Sequence, residues 1–89
     1  MTALVESFGI AVRQSREAQG WSQEGLAERS DLNRSYVGEI ERGRAIASLV
    51  TVEKLAVALG VTPSTLVTRG EAISHANLVR GINLMAIAC

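Results

Sequence analysis

The sequence predicts an all-α protein, a compact bundle of five short helices. Apolar residues recur at three- and four-residue steps, and no alternation typical of β-strands occurs before Arg69. Gly20, Gly43 and Gly60 each follow such a periodic segment, where a left-handed residue commonly ends a helix. The 89 residues suffice for a single core, because stable domains run from about 50 residues upward.

The first two helices follow from apolar spacing and a polar start signal. The first is predicted from about Leu4 to Gln19, with an inward face of Val5, Phe8 and Val12. The second covers 23–29 and begins after Ser22, whose hydroxyl can accept a hydrogen bond from a free backbone N–H. Gly25 weakens this short helix by about 1 kcal/mol relative to alanine.

The third, fourth and fifth helices each begin at a capping side chain. Asn33 is predicted to cap a helix that ends near Arg42, and Ser48 opens the next one. Thr62 and Pro63 open a short fifth helix, since proline favours the first helical position. The fourth helix carries the strongest apolar repeat, which consists of Leu49, Val52, Leu55, Ala56 and Leu59.

The pattern divides the chain into residues 1–68 and an apolar tail of residues 69–89. The tail contains too many apolar groups to leave in water on so small a domain, so we expect a homodimer interface there. Folding of the tail back onto its own domain is the alternative. The residues assigned to the interface are Leu66, Val67, Ile73, Leu78, Val79 and Ile82.

The second and third helices, joined by a tight turn, have the layout of a helix-turn-helix. On the third helix, Val37, Ile40 and Glu41 point inward, whereas the opposite side carries Arg34, Ser35, Gly38, Glu39 and Arg42. This outward side suits a DNA major groove, because arginine can contact guanine bidentately and glycine lets the backbone approach closely. A solvated helix face is the plainer interpretation.

Two opposite charges lie on inward faces, Arg16 on the first helix and Glu41 on the third. A lone buried charge costs several kcal/mol, so we expect the two side chains to pair bidentately. The alternative is that both reach the surface without meeting.

The segments GWSQEGLA (20–27) and DLNRSYVGEIERG (31–43) resemble the Cro/phage-repressor (XRE-type) helix-turn-helix family. The resemblance extends from Phe8-Gly9 to KLAVALGV (54–61) and Leu66, about three quarters of the chain. It implies a lambda-repressor-like fold and is greatest for stand-alone regulators, including the controller proteins of restriction–modification systems.

The resemblance also implies roles for individual residues. Gln23 would hold a phosphate, Asn33 and Tyr36 would contact the DNA backbone, and Arg34, Ser35 and Glu39 would face base edges. Arg16 and Glu41 match the family's internal ion pair. Helix N-termini attract phosphate, which supports the placement of Gln23 and Asn33. Arg42 and Arg44 complete the predicted DNA-binding set.

The function predicted is that of a homodimeric, sequence-specific regulator of transcription that binds double-stranded DNA at a pseudo-palindromic operator. It could be a restriction–modification controller or a phage-type repressor. Where relatives often have a basic, proline-containing segment, this chain has Ala45-Ile46-Ala47, so fewer phosphate contacts can form. The smaller number of phosphate contacts and the net charge of zero favour, as the alternative, an antitoxin-type module that neutralises a partner protein.

Other classes of function find little support in the composition. Three aromatic residues are too few for base stacking along single-stranded nucleic acid. We expect no enzyme, metal or cofactor, because His75 has no second ligand nearby and no serine has a general base. No small-molecule substrate is evident. The lone cysteine and the lack of a membrane-length apolar segment favour a cytoplasmic protein without membrane contact.

Overall fold

The computed structural model describes the backbone of residues 2–88 and the side chains of residues 2–76. Five α-helices follow one another, and the described residues contain no strand, so the predicted fold class is confirmed. The helices are α1 (Ala3–Ala18), α2 (Gln23–Ser30), α3 (Arg34–Glu41), α4 (Leu49–Leu59) and α5 (Pro63–Ala88).

The helix boundaries have local causes. The Ser22 hydroxyl accepts from the Gly25 N–H at 3.0 Å, and the Ser48 hydroxyl accepts from the Thr51 N–H at 3.1 Å. Gly60 ends α4 with φ +73°, a left-handed conformation that glycine adopts at no steric cost. Asp31 ends α2 in the same region with φ 54°, a conformation that short polar side chains tolerate better than most.

The core lies where all five helices meet. Its largest fully buried side chains come from every helix and are Leu26, Ile40, Leu55, Leu66, Val12 and Val37. Gly9 allows α1 to touch the end of α3, because a Cβ atom at this position would overlap the Ile40 carbonyl oxygen. The packing of α1 and α2 against α3 fixes the direction of α3.

The fifth helix differs from the prediction, since α5 runs for 26 residues without a break near Thr68. The expectation of a short fifth helix is wrong. Gly70 is buried, and a Cβ atom there would lie 3.1 Å from the Cα atom of Phe8. Close packing on α1 thus continues the helix beyond Thr68. The proposed division after Thr68 falls inside α5 and stays a prediction.

Among the described residues, no single helix is long and apolar enough to cross a membrane. Within that part of the chain, only α4 and residues 63–76 of α5 together reach the required length and hydropathy, and they are bent by 97°.

Candidate nucleic-acid interface

A three-residue connection joins α2 to α3. The Leu32 N–H donates to the Ala27 carbonyl at 2.9 Å, and the Ser30 hydroxyl donates to the Leu26 carbonyl at 2.6 Å. The Asn33 side chain then accepts from the Ser35 N–H at 2.7 Å and starts α3. These bonds fix a rigid helix-turn-helix.

The inner side of α3 is held by the ion pair that the sequence predicts. Arg16 Nε donates to Glu41 Oε2 at 2.8 Å, and Arg16 Nη2 donates to Glu41 Oε1 at 3.0 Å. A third donor, Arg16 Nη1, reaches the Trp21 carbonyl at 2.8 Å. The Glu41 side chain is only 2% exposed, and its hydrogen bond raises the pKa of Arg16 above its ordinary value. The pair therefore forms a buried connection between α1 and α3.

Gln23 belongs to the same buried network, which the sequence pattern did not predict. Its side-chain amide donates to Glu41 Oε1 at 3.0 Å. The contact positions Gln23 at the first turn of α2, where helical N–H groups lack internal partners. An amide has two N–H donors, so one remains for a second acceptor such as a phosphate oxygen.

The outward side of α3 exposes Arg34 and Ser35 at its first turn. Farther along, Arg42 Nη2 lies 3.0 Å from Glu39 Oε1 in an exposed ion pair. The Arg42 guanidinium also lies over Gly38, since a Cβ atom there would be 3.1 Å and 3.2 Å from its Nη atoms. In this conformation the longer Arg42 side chain, one turn on, covers Gly38, and close approach of the helix backbone to DNA at Gly38 stays a prediction.

Asn33 and Tyr36 have structural contacts within the chain. The Asn33 side chain is engaged as the cap of α3, and the half-buried Tyr36 places its hydroxyl 3.3 Å from both the Ile46 carbonyl and Thr51 Oγ1. Arg44 is exposed just after α3. The DNA contacts of these residues stay predictions.

The residues assigned to a dimer interface divide into three groups. Leu66 is fully buried in the core, so its assignment to an interface is wrong; the apolar face of α5 is covered by the chain's own helices there. Val67 and Ile73 are half-buried. Leu78, Val79 and Ile82 lie outside the residues whose side chains the structure describes.

Arg13 is a further exposed arginine that the sequence pattern did not single out. It lines a surface depression together with Arg16, Gln23, Glu41 and Arg42. Its position one turn before Arg16 on α1 is the signal in the sequence that could have identified it. No group of three or more potential metal ligands occurs within the described part of the chain.

Residues 12–66 match the family model of the helix-turn-helix domain. The chain belongs to the Cro/phage-repressor (XRE-type) helix-turn-helix family. Control protein C.BamHI of Bacillus amyloliquefaciens is 48% identical over 60 residues, which are 66% of this chain and 74% of that protein. Members of this family are DNA-binding regulators of transcription, which is not a class of enzyme.

Two solved structures resemble this fold. The restriction–modification controller protein C.AhdI from Aeromonas hydrophila has a TM-score of 0.71 and 49% identity, covering 73% of this chain and 98% of its own. The clp gene regulator ClgR from Corynebacterium glutamicum has a TM-score of 0.89 and 25% identity, covering 94% of this chain and 89% of its own.

Proposed function

We propose that this protein is a sequence-specific, homodimeric regulator of transcription that binds a pseudo-palindromic operator. The observation that carries the proposal is the exposed first turn of α3, with Arg34 and Ser35 on a helix whose inner side is fixed by the Arg16–Glu41 pair. Such a rigid helix suits a major groove, and a dimer places two of them about 34 Å apart.

Base reading is assigned to the outward side of α3. Arg34 provides a bidentate donor for guanine O6 and N7, and Ser35 can donate or accept. Glu39 would accept from cytosine N4 after its exposed pair with Arg42 opens. Backbone phosphates would be held by Gln23, Asn33, Tyr36, Arg42 and Arg44.

The similarity to C.BamHI and C.AhdI supports a controller of a restriction–modification system as the biological setting, with a phage-type repressor as the other candidate. We place this protein in the cytoplasm, where it would act on double-stranded DNA. The proposal requires neither a cofactor nor a small-molecule substrate.

A homodimer gives the exposed apolar side chains a partner surface. Ile46, Leu49 and Val50 are 67%, 87% and 62% exposed, and follow one another closely before and at the start of α4. Ile46 also lines an apolar depression with Leu4 and Val67, the latter one of the residues assigned to the interface. A second copy that covers this surface would also double the number of phosphate contacts, offsetting the neutral segment 45–47.

DNA binding is tested with a duplex that the protein itself selects. A duplex of about 30 base pairs, long enough for two half-sites, is isolated from a random pool by the purified protein. We expect tighter binding to this duplex than to a mixed-sequence duplex of equal length. Arg34→Ala should weaken binding to the selected duplex roughly 5- to 150-fold for each half-site, corresponding to about 1–3 kcal/mol per protomer.

Arg69→Ala is the matched control for this measurement. Arg69 is exposed on α5 and donates to the Ser15 hydroxyl at 3.0 Å, and its loss changes the net charge by the same amount. Equal effects of the two substitutions would contradict base reading by Arg34. A wild-type protein that selects no sequence would contradict the proposed function.

Dimerisation is tested with Leu49→Asp, measured by sedimentation equilibrium. Leu49 is largely exposed and begins α4, where an acidic residue is compatible with the helix dipole. We therefore expect a folded monomer, whereas Val57→Lys, at an exposed position near the other end of α4, stays dimeric. A wild-type monomer that becomes stable only with a co-purified protein would instead favour the antitoxin-type alternative.

A further inference from the structure

We propose that Arg13 on α1 binds a DNA backbone phosphate beside Gln23, so that α1 forms part of the DNA-binding surface. This inference rests on the proposed function and adds a contact that lies outside the helix-turn-helix itself.

Two adjoining depressions carry the argument. One of about 200 Å³ lies against the outward side of α3 and is lined by Gln23, Arg34, Ser35, Gly38 and Arg42. The second, of about 310 Å³, is lined by Arg13, Arg16, Gln23, Glu41 and Arg42. Because Gln23 and Arg42 line both, the base-reading surface continues across the start of α2 to Arg13.

The charges in the second depression distinguish its two α1 arginines. Arg16 is committed to Glu41 by two hydrogen bonds and is only 12% exposed. The Arg13 side chain is 62% exposed, and its ion pair with Glu17, with 3.2 Å between Nε and Oε1, is exposed as well. Exposed pairs of this kind contribute little to stability, so Arg13 can exchange the Glu17 carboxylate for a phosphate.

A DNA duplex places phosphates at this position. The major groove is about 12 Å wide and is bordered by a phosphate backbone on each side. With α3 in the groove, one of these backbones runs past the N-terminus of α2, where unpaired N–H groups favour an anion. Arg13 and Gln23 border this position together.

The salt dependence of binding tests the inference. Affinities of wild type, Arg13→Ala, Arg13→Lys and Arg69→Ala are measured between about 50 and 200 mM salt on the selected and the mixed-sequence duplex. Loss of one phosphate contact per protomer should reduce the slope of log K against log salt by about 0.9, or about 1.8 for a dimer. We expect this reduction for Arg13→Ala on both duplexes, and an unchanged slope for Arg13→Lys and Arg69→Ala.

The result that overturns the inference is an Arg13→Ala slope equal to that of Arg69→Ala while wild type still prefers the selected duplex. In that case the proposed function stands and only the α1 contact is refuted. If wild type shows no preference for the selected duplex, the proposed function fails, and the inference fails with it. A reduced slope on the selected duplex alone would also overturn the inference, since phosphate contacts do not depend on sequence. Thermal melting of Arg13→Ala checks that the helices are intact.

Discussion

Replacing Arg16 by methionine should destabilise the protein strongly, because it leaves a charge buried without its partner. Glu41, 2% exposed, would keep only the hydrogen bond from Gln23 at 3.0 Å, and the Trp21 carbonyl would lose its donor. Breaking a buried pair in this way costs about 3–5 kcal/mol. A protein of 89 residues has a free energy of unfolding of only about 4–13 kcal/mol, so the variant should be close to unfolding.

The double variant Arg16→Met/Glu41→Met distinguishes a buried charge from lost packing. Replacing both members of a buried pair by apolar residues is often neutral or stabilising. Loss of the bond to the Trp21 carbonyl still costs about 1–2 kcal/mol, so we expect the double variant within about 2 kcal/mol of wild type. Its DNA affinity should nevertheless fall, because Gln23 and α3 lose the group that positions them.

Urea unfolding followed by circular dichroism measures these differences, with Arg13→Met as the matched control for an exposed pair on the same helix. The control should change stability by about 1 kcal/mol or less. The pKa of Arg16 is raised in the folded protein. Arg16 therefore stabilises the fold at every pH below the pKa that it has in the unfolded chain, and this contribution is lost only as the pH rises through its higher pKa in the folded protein. Titration of Arg16 itself therefore adds no pH dependence to the stability of wild type between about pH 6 and 9. Equal stability of Arg16→Met and Arg13→Met would refute the reasoning.

Two glycines give opposite predictions. Gly9→Ala places a Cβ atom against the backbone carbonyl of Ile40, which cannot move aside. We therefore expect the free energy of unfolding, measured in urea, to fall by about 2 kcal/mol despite the gain in helix propensity. A variant as stable as wild type would contradict the close contact of α1 and α3. In Gly38→Ala the new Cβ atom contacts only the flexible end of the Arg42 side chain, so the substitution should raise Tm by roughly 4–8 °C while weakening DNA binding. A lower Tm would show that the Arg42 side chain cannot move aside.

Much of the helix-turn-helix was predictable from local pattern. Ser22 and Asn33 cap α2 and α3 as expected, since an N-cap depends only on residues within one turn. The inward placement of Glu41 followed from its phase relative to Val37 on a helix of 3.6 residues per turn. Pairing with Arg16 then followed from the cost of an isolated buried charge.

The covering of Gly38 by Arg42 was not predictable in this way. Helical phase places both residues on the outward side, but it does not fix the rotamer of a long side chain. The bond between Gln23 and Glu41 was missed for a related reason, since it depends on how closely the start of α2 approaches the end of α3. Sequence spacing contains no direct measure of that distance.

The sequence by itself determined the number of helices, the polar residues that cap them, and the inner and outer sides of α3. It also indicated the family to which the chain belongs. These depend on interactions within a few residues or on the burial of apolar and charged groups. The tertiary structure decided that α5 continues past Thr68, that Leu66 is part of the core, and that Arg13 adjoins the surface of α3. Such features arise from contacts between residues far apart in the chain, whose geometry is set only when all the helices pack together.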